Sequence, residues 1–164
     1  MFEDLLEANV RYRAEARDTI ETGKAARHLA VVTCIDTRID PLAVLGLRPG
    51  DAKIIRNAGA RVTDDVLRSL IIATNLLDVR RICLMHHTDC AMIGRTEQEL
   101  RDLIAERRGM PTGEWEFLST TDGNETLRAD LERIEACELL APDVVVGGFL
   151  FDVHTGSVRQ VDPS

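Results

Sequence analysis

Residues 80–90 read RRICLMHHTDC. An arginine pair precedes the apolar run ICLM, two histidines follow, and a Thr-Asp step leads to a cysteine. A short apolar run with no polar alternation reads as a strand buried on both faces, the kind found inside parallel sheets. The run predicts a strand over 80–86 and a loop from there to Cys90. The same pattern recurs in HLAVVT (28–33), in AKIIRNAG (52–59), which runs into a glycine-containing loop, and in VVVGGFLF (144–151). VRQV (158–161), after the turn residues HTGS (154–157), predicts an antiparallel edge strand.

Helical signals lie between the runs. Asp40 can cap a short helix with Pro41 at its first position, closed by Gly46 or the RPGD turn. Thr63 can cap a longer one, with Asp64 and Asp65 in its first turn and Leu67, Leu70, Ile71, Thr74 and Leu77 along one side. TEQE (96–99) has capping-box spacing and opens a helix to about Arg108, stopped by Gly109. A further helix is expected over about 125–140, ended by APD. Residues 2–22 read as an amphipathic N-terminal helix carrying Phe2, Leu5, Leu6, Val10 and Ile20, stopped by Gly23. Alternating strands and helices predict a three-layer α/β fold. Its central sheet is mostly parallel, about four parallel strands plus an antiparallel edge strand, with an N-terminal helical arm. The 164 residues are read as one domain, 1–164, with 1–23 as the arm.

Composition narrows the function. Aromatics are 4% of the chain and its net charge is −8, which disfavour a stacking platform and phosphate-backbone binding. No nucleic-acid partner is expected. No apolar stretch reaches spanning length and the N-terminus is charged, so no membrane partner is expected and the location is read as cytoplasmic. There, four cysteines are thiols or metal ligands before they are disulfides. Cys83 and Cys137 sit inside a strand and a helix and read as small core residues. Cys34 and Cys90 instead fall just beyond two strands, at the same end of the sheet, where such folds bind ligands.

Two thiolates and an imidazole form a three-ligand zinc set that leaves a fourth position open for water. His86 and His87 point to opposite sides of their strand, and the spacing to Cys90 suits zinc from either one. Periodicity leaves that choice open. His28 and His154 read as structural or solvent-facing. Asp36 and Arg38 are two residues apart in the loop after Cys34, close enough to form an ion pair beside a metal-held water. A phosphate cradle of the Cys-x5-Arg type is excluded because Cys34 to Arg38 is Cys-x3-Arg. The chain also lacks a Cys-x2-Cys redox pair, a Walker loop and a dinucleotide glycine fingerprint.

CIDTR (34–38), RNAG (56–59) and HHTDC (86–90), in this order, resemble the signature of the β-class carbonic anhydrases, in their compact prokaryotic branch. The resemblance spans about residues 28–95. It implies one zinc ion per chain on Cys34, His87 and Cys90, with Asp36 and Arg38 as the catalytic dyad and backbone around Ala58 and Gly59 lining the substrate pocket and supporting Asp36. It thereby selects His87 over His86. It also implies reversible hydration of CO2 to bicarbonate, in a homodimer or higher oligomer; the N-terminal helix, too long to cover a core of this size alone, is a candidate for crossing onto a partner subunit. The same branch contains relatives that hydrolyse COS or CS2 with this site. A closed structural or regulatory site, with Asp36 as fourth ligand, is a third reading. Ala91 and Ala60 depart from the residues usual in the family.

Overall fold

A computed structural model of the chain describes residues 2–14 and 22–161. Helix α1 is Glu3–Ala14. The expected continuation of this helix through Ile20 lies outside the described residues. The elements that follow are β1 (Leu29–Cys34), α2 (Pro41–Val44), β2 (Ala52–Asn57), a 3-10 turn (Ala58–Ala60), α3 (Asp64–Leu76) and β3 (Arg81–His87). The remaining elements are α4 (Glu97–Arg108), α5 (Gly123–Glu135), β4 (Val145–Phe151) and β5 (Val158–Val161).

The strands form one sheet in the order β2-β1-β3-β4-β5, with β5 antiparallel to β4 and all other pairs parallel. This is the mixed α/β architecture the sequence predicts. The chain moves from β1 to β2 in one direction along the sheet, then from β2 past β1 to β3 and β4 in the other. Right-handed crossovers in opposite directions must lie on opposite faces. Accordingly, α3 and α5 cover one face and α2 the other. On the first face Val66, Leu70, Ala73, Leu127, Leu131 and Ile134 bury Ala30, Val32, Ile82 and Leu84. On the second, Val44 of α2 and loop residues Ile39, Met92 and Ile93 pack with Val31, Cys83 and Met85.

The caps follow the sequence signals. Asp40 accepts from the amides of Leu42 and Ala43, Thr63 from Val66, and Thr96 and Glu99 complete a capping box. Gly109 ends α4 in the left-handed conformation, φ 67°. Two helices differ in detail from expectation. The buried face of α3 is Val66, Leu70, Ala73 and Thr74, which includes the expected Leu70 and Thr74, while Leu67, Ile71 and Leu77 are half-buried and Leu67 packs on the same core. Helix α5 begins two residues early, because Asp122 accepts from the amides of Asn124 and Glu125, and it ends at Glu135 rather than near 140.

The register brings the strand ends that matter to one edge. Cys34 pairs with Asn57 and His87 with Phe151. β1 is where the strand order reverses, and the crevice beyond its carboxyl end is where open α/β sheets place ligands.

Candidate metal centre

Cys34 ends β1, His87 ends β3, and Cys90 closes the turn after it. Their ligand atoms, two Sγ and one imidazole nitrogen, all lie within 4.8 Å of one another, and the three residues are buried. Alternation along β3 separates the two histidines. His87 falls on the side of Cys83 and Met85, toward the thiols, and His86 on the side of Ile82 and Leu84, toward α5. The structure thus brings His87 to Cys34 and Cys90 and leaves His86 out.

His87 is prepared as a ligand. Its Nδ1 lies 2.8 Å from the Thr88 carbonyl, which can only accept, so Nδ1 carries the proton. That leaves the Nε2 lone pair free, and Nε2 is buried with no hydrogen-bond partner. An unpaired polar atom in a buried site calls for a ligand. The Cys34 and Cys90 sulfurs are 4.0 Å apart. Two thiolates about 2.3 Å from one tetrahedral ion would stand about 3.8 Å apart. The donor set and its spacing therefore fit zinc.

The sulfurs are not equivalent. The Cys34 pKa is pulled well down, first by the Cys90 S–H, then by His87 and by the amides of Asp36 and Gly59, against the cost of burial. The same pairing pushes Cys90 up. The Gly59 N–H donates to Cys34 Sγ at 3.3 Å. Burial disfavours a charged His87, but the thiolate beside it outweighs that and favours the proton. Metal must displace these protons, so loading depends on pH.

Asp36 and Arg38 meet as the sequence predicts. Arg38 donates from Nε to Asp36 Oδ1 at 3.0 Å, from Nη2 to Oδ2 at 2.7 Å, and from its backbone amide to Oδ1 at 2.9 Å. This bidentate grip holds the Asp36 carboxyl well below the usual carboxylate range. Asp36 Oδ2 is 4.0 Å from His87 Nε2, beside the cluster of ligand atoms.

With this geometry, similarity to known proteins is decisive. A family model for carbonic anhydrase matches residues 29–110. β-carbonic anhydrase 1 of Mycobacterium tuberculosis is 40% identical over 162 residues, covering 98% of both chains. The chain belongs to the β-carbonic anhydrase family. The crystal structure of a carbonic anhydrase from Streptococcus mutans superposes with a TM-score of 0.88 at 36% identity, over 98% of this chain and 97% of that one. The carbon disulfide hydrolase of an Acidianus species is 30% identical over 82% of this chain and 77% of its own length. Proteins of this family are zinc enzymes.

Some features of this family member depart from expectation or escape sequence reasoning. The turn Ala58–Ala60 does not support Asp36 through its amides. Gly59 serves Cys34 instead, because the register sets Asn57 beside Cys34 and the turn folds back onto the sulfur. Ala58 is exposed. The backbone of the CIDTR loop is held by Arg56, which donates from Nε to the Cys34 carbonyl at 2.8 Å and from Nη2 to the Asp36 carbonyl at 2.7 Å. Its position in RNAG, before the glycine, was the available signal. On the far face, His86 is buried near Asp130, with 3.8 Å between Nε2 and Oδ2, and burial lowers its pKa to about 4. Asp130 is bound at 2.7 Å by Nε of Arg61, the residue after the 3-10 turn. A cavity of about 350 Å³ lies beside the ligand-bearing segment, with apolar walls from Ile93, Leu127 and Leu150.

Proposed function

We propose that this chain catalyses the reversible hydration of CO2 to bicarbonate and a proton, with one zinc ion held by Cys34, His87 and Cys90. The observation that carries the proposal is the buried Cys-His-Cys cluster set beside a carboxylate locked on an arginine. When bound, zinc supplies the Lewis acidity that makes water a nucleophile near neutral pH. Two thiolates leave little net positive charge, so this is a milder Lewis acid than a three-histidine site. The neutral imidazole of His87 completes the donor set, its tautomer fixed by Thr88.

Asp36 stays ionised because Arg38 faces it with two N–H groups. Its carboxylate accepts a hydrogen bond from the reacting water and turns the reactive lone pair toward the substrate carbon. Arg38, occupied with Asp36, also keeps that carboxylate from swinging onto the ligand atoms. This favours the open catalytic site over the closed site with Asp36 as fourth ligand. The apolar wall beside the ligand segment suits a small nonpolar substrate such as CO2, and suits CS2 or COS as well.

The chain is proposed to work as one domain and as a homodimer or larger homo-oligomer, with α1 crossing onto the partner. Four free thiols among the described residues support a reducing, cytoplasmic setting. No helix among the described residues is long and apolar enough to cross a membrane. The test is metal analysis followed by stopped-flow CO2 hydration. About one zinc per chain and hydration that increases toward alkaline pH are expected. Negligible hydration, with sulfide released from COS or CS2, would transfer the chain to the hydrolase reading. A crystal structure with Asp36 on the metal at both neutral and alkaline pH would overturn catalysis of either kind.

A further inference from the structure

Arg38 is gripped from two sides. While Nε and one Nη2 proton serve Asp36, Nη1 donates to Asp89 Oδ2 at 2.7 Å and Nη2 to the Asp89 carbonyl at 2.9 Å. Four of the five guanidinium N–H groups are thus assigned, two to each aspartate. Asp89 is the residue before Cys90, in the part of HHTDC for which the zinc site itself has no use. Its backbone is left-handed, φ 54°. Asp and Asn visit that region more readily than other L-residues. With this turn, the carbonyl and the carboxylate of one residue both reach the same guanidinium.

The arrangement does something a bidentate pair alone does not. The Asp36–Arg38 pair fixes the plane of its two groups and the Arg38 amide ties Oδ1 to the backbone, but all of these bonds lie within one loop. Here the pair is also tied to the segment that carries Cys90. Asp36 Oδ2 stands 4.0 Å from His87 Nε2, so a small swing changes what the carboxylate addresses. The Asp89 side chain is 62% exposed, and an ion pair that open contributes little to stability. Its contribution is direction.

We propose that Asp89 is a positioning residue: with its own carbonyl it locks Arg38 across the two ligand-bearing loops and thereby fixes the orientation of Asp36 toward the reacting water. The inference rests on the zinc-hydratase reading of the site.

The test compares Asp89→Gly and Asp89→Asn in the zinc-loaded full chain. Glycine keeps the left-handed backbone without strain and retains the carbonyl contact, so it removes only the carboxylate. Asparagine restores a neutral acceptor. Asp89→Gly is expected to keep its zinc and lose about tenfold in kcat with KM little changed, and Asp89→Asn to recover most of that loss. A second readout does not use activity. In 15N NMR of the zinc-loaded protein, hindered rotation should give Arg38 separate Nη signals, which merge in Asp89→Gly and separate again in Asp89→Asn.

Wild-type turnover in Asp89→Gly overturns the proposal. So does lost turnover with the Arg38 signals unchanged, because the defect then lies elsewhere. Loss of zinc from Asp89→Gly also counts against it, since the residue would then be holding the loop rather than the arginine. If the wild-type chain binds zinc but hydrates no CO2, the functional reading fails, and the NMR comparison still decides whether Asp89 locks Arg38.

Discussion

Cys90 and His86 stand four residues apart, and they should respond in opposite ways to removal. Cys90→Ser replaces a thiolate donor with a hydroxyl that stays protonated, so zinc content should fall far below one per chain. His86→Ala removes an imidazole that faces α5 and lies outside the cluster of ligand atoms, so zinc should stay bound. Metal analysis of the two purified variants checks both, and loss of zinc from His86→Ala would reverse the assignment of the histidines. The family resemblance selects His87, but periodicity alone does not reach this assignment. Alternation showed that the two imidazoles point apart, but the face toward Cys34 depends on how β1 and β3 pair, which is not a local property. Ala60 gives a second prediction. It is fully buried in the turn at Cys34, with φ 58°, a region that costs an L-alanine about 1–2 kcal/mol. Glycine removes that strain but adds about 0.4–1 kcal/mol of unfolded-chain entropy. Ala60→Gly should therefore stabilise the fold by up to about 1.6 kcal/mol, read as a higher denaturation midpoint with an unchanged slope. A lower midpoint would mean that the Ala60 methyl group contributes more in its buried packing than the backbone strain costs.

At the scale of elements, α4 holds the connection to α5 through Arg101, which donates to the Gly113 carbonyl, and through one carboxylate. Glu97, in the first turn of α4, accepts from the amide of Phe117 at 2.6 Å and from the amide and hydroxyl of Ser119 at 3.2 and 3.3 Å. Those bonds lower its pKa, the Phe117 amide most. A carboxyl depressed in the folded state gives stability that is present above its unfolded value. That stability is lost as pH falls through the folded value. Glu97→Ala should accordingly cost about 1–2 kcal/mol near neutral pH, and the gap from wild type should close as the solution is acidified below the ordinary glutamate range. Urea titrations at neutral and acid pH measure this, and a gap that widens on acidification would refute the role. This connection was the least legible part of the chain. The tie spans twenty residues with no periodic signal, and Asp122 caps α5 three residues before the expected start at about 125. The strands and the caps at Asp40, Thr63 and Thr96 were legible because each depends on neighbours within a few positions.

At the scale of the whole molecule, α1 needs a surface that the described chain does not offer it. It buries no side chain, and Phe2, Leu5, Leu6 and Val10 are each at least 60% exposed at helical spacing. An isolated helix of about this length is marginal in water, so most of its stability must come from packing. Burying four such side chains is worth about 1.5–3 kcal/mol each. Two arms exchanged in a symmetric dimer would supply roughly 12–24 kcal/mol, against an association cost of about 4–15 kcal/mol. A second copy of the chain is the proposed cover. Charged residues at Leu5 and Leu6 remove half of each arm's apolar face, enough to bring gain and cost level. The variant Leu5→Asp, Leu6→Asp should therefore sediment as a single chain at micromolar concentration where the wild type sediments as a dimer or larger. Helical circular dichroism should fall with it, because an arm with nothing to pack against melts. An unchanged mass would show that the subunits meet through other surfaces. A wild type that is itself monomeric would leave the exposed leucines of α1 without their proposed cover and end the oligomer reading.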